Sequence, residues 1–309
     1  MPPATGGRRL TWAQLPLDVV AAIEDLLGGA VVAAISQPGG FSEGLAARVR
    51  LADGRRAFVK AVSSVVAPGV AGFHRREIVV TRRLPAVAPV PRLLGALDDG
   101  VWVTLAFEEI DGALPAQPWR RDEFDRVLAA ATELAYALTP SPVERDVVSQ
   151  PRLGGWLTLA SEGGNGRLAS LSPWAAGRLD ELVALEQRSG TALAGETLLH
   201  GDLYPFNVML GRDLVFFVDW PHAWIGAAHC DVLTLLSSAS LSGMDPQPLA
   251  DEHPLTRGLE PDRLNVFLAA HAGFLIRLAA LAGPTVDPDL LDMATALGRA
   301  SLDWLRARL

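Results

Sequence analysis

Cysteine is almost absent from this sequence: Cys230 is the only one in 309 residues. No internal disulfide can form, and no multi-cysteine zinc site can be built. Aromatic residues are sparse at 6% and charged residues make up 20%, while half of the chain is apolar. That balance belongs to a globular protein and not to a disordered one. Excess positive charge is missing as well. The net charge is −8, so the basic footprint of a nucleic-acid binder is not expected; an acidic surface would suit a cationic substrate as readily as plain solubility. The segment M-P-P-A-T-G-G-R-R-L at the start lacks the apolar core of a signal peptide. The most apolar stretch, Val266–Ala282, is interrupted by His271 and Arg277 and reads as a buried helix rather than a membrane span. A cytoplasmic protein without a membrane or nucleic-acid partner is expected. Composition leaves the oligomeric state unknown. Repeats and low-complexity tracts are lacking too, and the length suffices for one large domain or two lobes.

What is present concentrates in Leu198–Trp220, L-L-H-G-D-L-Y-P-F-N-V-M-L-G-R-D-L-V-F-F-V-D-W. Asp202 and Asn207 are five residues apart, and Asp219 follows Asn207 by twelve. Asn207–Leu210 and Leu214–Val218 read as short strands joined by Gly211-Arg212-Asp213, which is hairpin punctuation. Such a hairpin brings Asn207 and Asp219 together at its open end, with Asp202 on the loop before it. An Asp facing an Asn supplies hard oxygen ligands suited to Mg²⁺, which leaves its other positions to phosphate and water. A second carboxylate nearby can take a proton from a substrate hydroxyl.

H-G-D-x-x-x-x-N followed by an apolar strand and V-D-W resembles the catalytic loop and metal site of the aminoglycoside phosphotransferase family, small-molecule kinases related to choline kinases with a protein-kinase-like fold. The resemblance implies that Asp202 is the catalytic base and that Asn207 and Asp219 hold magnesium. His200 is expected to pack and hydrogen-bond so as to hold the loop's shape. Trp220 stands where protein kinases carry the Phe of D-F-G, and no A-P-E-like segment follows, which favours the small-molecule branch.

The rest of the chain fits the same frame. Leu17–Leu27 has helical spacing and ends at Gly28-Gly29. Three strand-like runs follow, Ala30–Ile35, Leu45–Leu51 and Ala57–Val62, with Asp53-Gly54 as a hairpin signal between the last two. The turn Ser36–Gly44, S-Q-P-G-G-F-S-E-G, carries Gly39, Gly40 and Ser42, which could let amides approach a phosphate; taken alone, the ordinary flexible turn is the stronger reading. Lys60 in F-V-K-A-V resembles the V-A-I-K lysine that holds α/β-phosphates, although a lysine on a strand can simply face solvent. The resemblance places Glu77, on a helix-like segment, as the carboxylate that orients Lys60; the plain alternative is a surface Glu pairing with its arginine neighbours. Arg75, Arg76, Arg82 and Arg83 read as a solvated face. Leu93–Leu97 and Val101–Phe107 form another hairpin through Asp98-Asp99-Gly100. By resemblance, Phe107–Gly112 is the hinge between lobes, with Glu108 and Ile110 contributing backbone contacts to the base of ATP or GTP.

Beyond the hinge the texture is helical: Asp122–Leu138, Trp174–Gln187, Pro261–Leu281 and Asp287–Leu305. Thr139–Ser172 is rich in Pro, Gly and Ser and could border a substrate site. Asp231 fits an N-cap or a brace on the catalytic loop. His222, His229 and Asp231 lack a second ligand pair at zinc spacing. Asp245, Asp251, Glu252 and His253 lie in Ser240–Gly258, a loop whose acidic residues could bind ammonium groups or be solvated.

The expected fold is α+β and bilobal, protein-kinase-like. Residues 1–107 form an N-lobe of antiparallel β-sheet plus helix, residues 108–112 the hinge, and residues 113–309 a mainly helical C-lobe. The resemblance implies a Mg²⁺-dependent transfer of the γ-phosphoryl group of ATP or GTP to a hydroxyl of a small molecule, an aminoglycoside or other antibiotic-like, possibly cationic acceptor, with antibiotic resistance a natural guess. The alternatives are a kinase of a metabolic amino alcohol or sugar, or a catalytically silent nucleotide sensor of the same fold.

Overall fold

The computed structural model describes residues 9–37, 43–162, 165–283 and 286–309. In the first lobe, β1 (Arg9–Leu10) leads to α1 (Leu17–Leu27). Val19, Ile23 and Leu27 bury one stripe of this helix, and Gly28 ends it in the left-handed conformation at φ 68°. β2 (Val31–Ser36), β3 (Gly44–Leu51) and β4 (Arg56–Ser63) come next, then α2 (Pro68–Thr81), β5 (Leu93–Asp98) and β6 (Trp102–Glu108). Side-chain acceptors make the tight turns. Asp53 accepts the Arg55 amide at 3.0 Å, and Asp99 accepts the amides of Val101 and Trp102 at 2.8 and 2.6 Å. The strands form one six-stranded sheet in the order β1-β3-β4-β6-β5, with β2 also on β3. Its pairs are antiparallel except β1, which runs parallel to β3.

Strand alternation then decides where Lys60 goes. Ala57, Val59 and Ala61 of β4 face the core under α1, while Phe58 and Val62 join the second core under α2. Lys60 shares this second face and points at α2, the helix that carries Glu77. The period of two therefore puts a lysine under a helix and not into solvent.

The second lobe opens with β7 (Gly112–Ala113) and α3 (Arg121–Ala137), which buries Phe124, Val127, Leu128, Ala131 and Leu134. α4 (Trp156–Ser161), α5 (Asn165–Leu171), α6 (Pro173–Ala176), α7 (Leu179–Gln187) and α8 (Ser189–Ala192) lead to β8 (Thr197–Leu199). β9 (Val208–Gly211), β10 (Val215–Phe217), β11 (Trp224–Gly226), α9 (Cys230–Ala239), α10 (Pro246–Glu252), α11 (Pro261–Leu281) and α12 (Pro288–Arg308) complete it. α11 is long and apolar enough to cross a membrane, but 67% of its most apolar window is buried within the protein, as a core helix would be. Phe267, Leu268 and Ile276 of α11 share one large core with Trp156, Phe124 and Phe217.

Two sequence expectations need correction. Trp174–Gln187 is not one helix. It breaks at Gly177-Arg178 into α6 and α7, where a glycine lowers helix propensity and the Ser172 hydroxyl accepts the Ala175 amide at 3.2 Å to start the first piece. The segment read as a loop, Ser240–Gly258, holds α10, started by Asp245 accepting the Gln247 amide at 3.0 Å; Thr139–Ser172, whose composition assigned no element, holds α4 and α5.

Candidate active site

The loop 200–207 is built by the groups that hold its backbone. β8 pairs antiparallel with β11, Leu199 opposite Trp224, and the chain leaves the sheet at His200. Gly201 follows at φ 75°, and a Cβ there would collide with the His222 carbonyl, so only glycine fits. Asp231, in the first turn of α9, accepts the amides of His200 and Gly201 at 2.7 and 3.0 Å. The brace reading of Asp231 thus has a direct geometry. His200 is wholly buried; its Nδ1 accepts the Asp202 amide at 3.3 Å, and its Nε2–H donates to the Val218 carbonyl at 2.8 Å. An amide can only donate and a carbonyl can only accept, so the ring is held in one tautomer. It stacks edge-on against Trp220 at 4.7 Å.

The hairpin after the loop pairs Val208 with Phe217 and Leu210 with Val215. The Val218 amide donates to the Asn207 carbonyl at 3.0 Å, which closes the open end and sets Asp219 beside it. Among the described residues Asp219 is the only non-glycine with positive φ, at 71°. That strained conformation turns its carboxylate back toward β4. Asn207 gives its amide nitrogen to Asp202, donating to the carbonyl oxygen at 2.8 Å and to Oδ2 at 3.0 Å.

Three elements meet at Lys60. Its Nζ lies 2.8 and 2.9 Å from the two oxygens of Glu77 and 2.6 Å from Asp219 Oδ1. Glu77 is 1% exposed, and it also accepts the Trp220 amide at 3.2 Å. Lys60 is the only lysine in the chain. Burial opposes its charge, but the carboxylates of Asp219 and Glu77 outweigh that and raise its pKa. Burial likewise opposes the Asp219 carboxylate, yet the Lys60 ammonium holds its pKa well below the usual range. Glu77 goes the other way: desolvation raises its pKa against the pull of Lys60. His74, one turn before Glu77, is buried and its pKa falls to about 3, burial first and then the Lys60 charge.

Several expectations fall elsewhere. Gly39, Gly40 and Ser42 lie outside the described residues. Glu108 ends β6; its amide donates to the Arg92 carbonyl at 3.0 Å, and its carboxylate accepts the Arg92 amide at 2.9 Å. Ile110 lies between β6 and β7, in the segment joining sheet to helices. The basic run on α2 is only in part a solvated face: Arg75 pairs with Asp98 at 2.8 Å, while Arg76 stacks on Phe73 with a buried, unpartnered Nε. Asp251 accepts the side chain of Gln247 at 2.7 Å, and His253 meets the Thr132 hydroxyl at 3.0 Å.

Sequence reasoning missed three groups. Arg152 donates from Nη1 to Asp202 Oδ1 at 2.7 Å, from Thr139–Ser172, a stretch whose composition singled out no residue. Arg48 and Arg56, on β3 and β4, both pair with Glu109 just past β6. Arg9, opposite Gly44 on β3, lies within electrostatic reach of Asp219; burial lowers its pKa and that carboxylate raises it.

An ammonium held under a sheet by a helix carboxylate, facing acidic groups on a loop of a helical lobe, is the plan of kinase-like phosphotransferases, and this fold is of that class. Residues 38–267, well over half of the chain, match the profile of the phosphotransferase enzyme family. The chain belongs to this family, the aminoglycoside phosphotransferase family that its catalytic segment resembles. A thermostable mutant of aminoglycoside phosphotransferase APH(4)-Ia, in ternary complex with ADP and hygromycin B, aligns with TM-score 0.61 and 16% identity over 93% of this chain and 98% of that one. The GDP complex of wild-type aminoglycoside 2'-phosphotransferase-IIIa aligns with TM-score 0.62 and 16% identity over 94% and 99%. At such identities the likeness shows the fold. Among curated proteins, a LicA homolog of Mycoplasma capricolum subsp. capricolum is 35% identical over 46 residues, 15% of this chain. The match spans only 19% of the length of that relative.

Two outcomes follow from this geometry. Asp231→Ala leaves the amides of His200 and Gly201 buried without an acceptor, and should lower unfolding free energy by about 2–5 kcal/mol in urea denaturation. A change below about 0.5 kcal/mol would mean that the loop does not depend on this brace. The second concerns acid. Burial lowers the pKa values of His229 and His271 to about 4, against about 6.5 in an unfolded chain. The folded state binds fewer protons between these values, so stability is full above roughly pH 6.5 and falls toward pH 4, by about 1.4 kcal/mol per pH unit for each titrating ring. Denaturation midpoints measured at pH 7.5 and pH 5 should drop accordingly, and the drop should shrink in His271→Gln. An equal drop in that variant would remove His271 from the account.

Proposed function

We propose that the protein is a small-molecule kinase that moves the γ-phosphoryl group of ATP or GTP to an alcohol hydroxyl, acting in the cytoplasm where those nucleotides are. The observation that carries this is the meeting of Lys60, Glu77 and Asp219 within 2.9 Å at Nζ, with Asp202 and Asn207 tied together beside them. Loss of any of these residues would have favoured a silent sensor; all are in place.

Lys60 binds the α- and β-phosphates, and Glu77 aims it. The triphosphate would slide between Lys60 and Asp219 and exchange one anionic partner of the ammonium for another. The base would lie along the segment Phe107–Gly112, which divides an N-lobe of residues 1–107 from a C-lobe of residues 113–309. There the Glu108 amide is already engaged by Arg92, so contacts to the base fall to the Glu108 carbonyl and to Ile110. The turn with Gly39, Gly40 and Ser42 would cover the phosphates.

The donor set suits magnesium. Asn207 spends its nitrogen on Asp202, which leaves its amide oxygen, and Asp219 has Oδ2 beside the Oδ1 that Lys60 holds in the ligand-free protein. These are two hard oxygens, the few side-chain ligands that Mg²⁺ takes beside phosphates. A bound Mg²⁺ would supply charge neutralisation at the β- and γ-phosphates. Asp202 orients the acceptor hydroxyl and takes its proton. The hydroxyl oxygen bonds to the γ-phosphorus as the bond to the bridging oxygen breaks, and the nucleoside diphosphate departs with that electron pair. Positioning and charge stabilisation supply most of the rate.

Similar folds hold hygromycin B and kanamycin, so antibiotic-like hydroxyl compounds, with a role in resistance, are among the acceptors to test. The test is mass spectrometry of hydroxyl-bearing antibiotics, amino alcohols, sugars and hydroxy acids incubated with the protein, Mg²⁺ and ATP or GTP. A compound should gain one phosphoryl group, and Asp202→Asn should slow the gain by at least about 100-fold while nucleotide still binds. Turnover near the wild-type rate in that variant would sink the assignment of Asp202.

A further inference from the structure

Given the kinase reading, the side of Asp202 away from Lys60 bears on what the acceptor is. Arg152, in the connection between α3 and α4, donates to Asp202 Oδ1 at 2.7 Å. Its guanidinium covers the Phe274 ring at 4.8 Å, and Arg277, three residues along α11, covers the same ring at 5.8 Å. A ring that attracts two cations fixes Arg152 in place. Asn207 donates to the other oxygen of Asp202 at 3.0 Å. Two nearby carboxylates are engaged by backbone amides. Both oxygens of Asp231 take loop amides, and Glu186 takes the amides of Gly155 and Trp156 at 2.7 and 2.8 Å. Among the described residues, no carboxylate forms an ion pair with Arg277. The cavity against Asp202 is small, about 20 Å³, and is lined in part by Arg152, Tyr204, His271 and Phe274. His271 is neutral near pH 7, since burial lowers its pKa to about 4, with the Arg152 charge adding to that.

Arg152 stands beside Asp202, and the other carboxylate lining this cavity, Asp231, is engaged by loop amides, so an anion meets a donor there and a polycation meets a positive charge. We propose that Arg152 is a specificity-determining residue of the acceptor site and that the acceptor carries an oxyanion, a carboxylate or a phosphate ester, beside the hydroxyl that is phosphorylated. The oxyanion takes the guanidinium fork and draws it off Asp202. Asp202 Oδ1 is thereby released to accept the hydroxyl proton. With a hydrogen bond on each side, hydroxyl and oxyanion stand on the order of 5 Å apart, as in short hydroxy acids and polyol phosphates. A carboxylate already paired with a guanidinium in the free protein is freed only by an acceptor that supplies a substitute anion. Binding and activation of the base then select the same compound.

The test compares matched hydroxy compounds with full-length protein, Mg²⁺ and ATP or GTP. D-glycerate and homoserine carry a carboxylate, glycerol 3-phosphate carries a phosphate ester, and glyceramide, ethanolamine and kanamycin carry no anion. Phosphoryl gain and kcat/KM are read for wild type, Arg152→Gln and Arg152→Lys. The expected result is transfer to carboxylate or phosphate compounds in preference to the others, which also tells the two oxyanions apart. Arg152→Gln should raise KM for that acceptor about 10- to 100-fold, more than it lowers kcat, and Arg152→Lys should recover part of the loss. Preferred transfer to ethanolamine or kanamycin, with KM no higher in Arg152→Gln, overturns the proposal and leaves the kinase reading standing. If no compound in the set is phosphorylated, calorimetric titration of the nucleotide-loaded protein with D-glycerate and inorganic phosphate decides. Binding that Arg152→Gln abolishes supports the proposal, and no binding of either overturns it. Failure of both ATP and GTP to bind in the presence of Mg²⁺ is the separate result that removes the kinase reading itself.

Discussion

One ammonium between two carboxylates, Glu77 buried and Asp219 partly exposed, is the contact on which the rest depends. Lys60 comes from the sheet, Glu77 from the helix above it, and Asp219 from the far end of the catalytic hairpin, 159 residues along the chain. Taking such charges out of water is expensive, and a buried pair seldom adds net stability over apolar packing. Here the arrangement carries an excess of negative charge, two carboxylates to one ammonium. It is stable only because hydrogen bonds reach both acids: Lys60 serves Asp219, and Lys60 and the Trp220 amide serve Glu77. The same cluster locks α2 to the second lobe. An apolar substitute could hold the lobes together equally well, so the retained charges point to a ligand that exploits them.

The catalytic loop shows how a strained geometry is stabilised from outside. Asp219 sits at φ 71° and Gly201 at φ 75°, conformations the backbone does not choose unaided. Asp231 fixes two amides at one end of the loop, the His200 ring bridges Asp202 to Val218, and Trp220 packs beneath. Each of these partners is buried, so each amide or carbonyl they satisfy would otherwise be left dry. The loop is therefore set before any ligand arrives, which is what positioning catalysis needs.

Much of this was legible in the sequence because the relevant spacings are local. The hairpin turns, the α1 stripe and the pairing of Asn207 with Asp219 follow from residues a few positions apart. Lys60 could be read only as a strand lysine with two possible faces; the deciding fact, the α2 core formed with Phe58 and Val62, is tertiary. Arg152 was invisible for the same reason, since it meets Asp202 across 50 residues that fold into five helices and a strand. The clasp of Arg48 and Arg56 on Glu109 spans three elements and carries no motif. The single helix expected over Trp174–Gln187 failed at Gly177, where apolar periodicity continued across a true break. Periodicity reports which face is buried, not whether the backbone is continuous.

Elsewhere the chain's positive charge is carried by guanidinium groups, which resist acylation and imine formation. Apart from the α-amino group, Lys60 is the one primary amine the molecule possesses. Side-chain amine chemistry on this protein is consequently single-site chemistry. An acyl phosphate or an aldehyde that forms a stable adduct on a side-chain amine can do so only at Lys60, between Glu77 and Asp219. The composition has thus made this one ion-pair cluster its own reporter, with only the α-amino group as background.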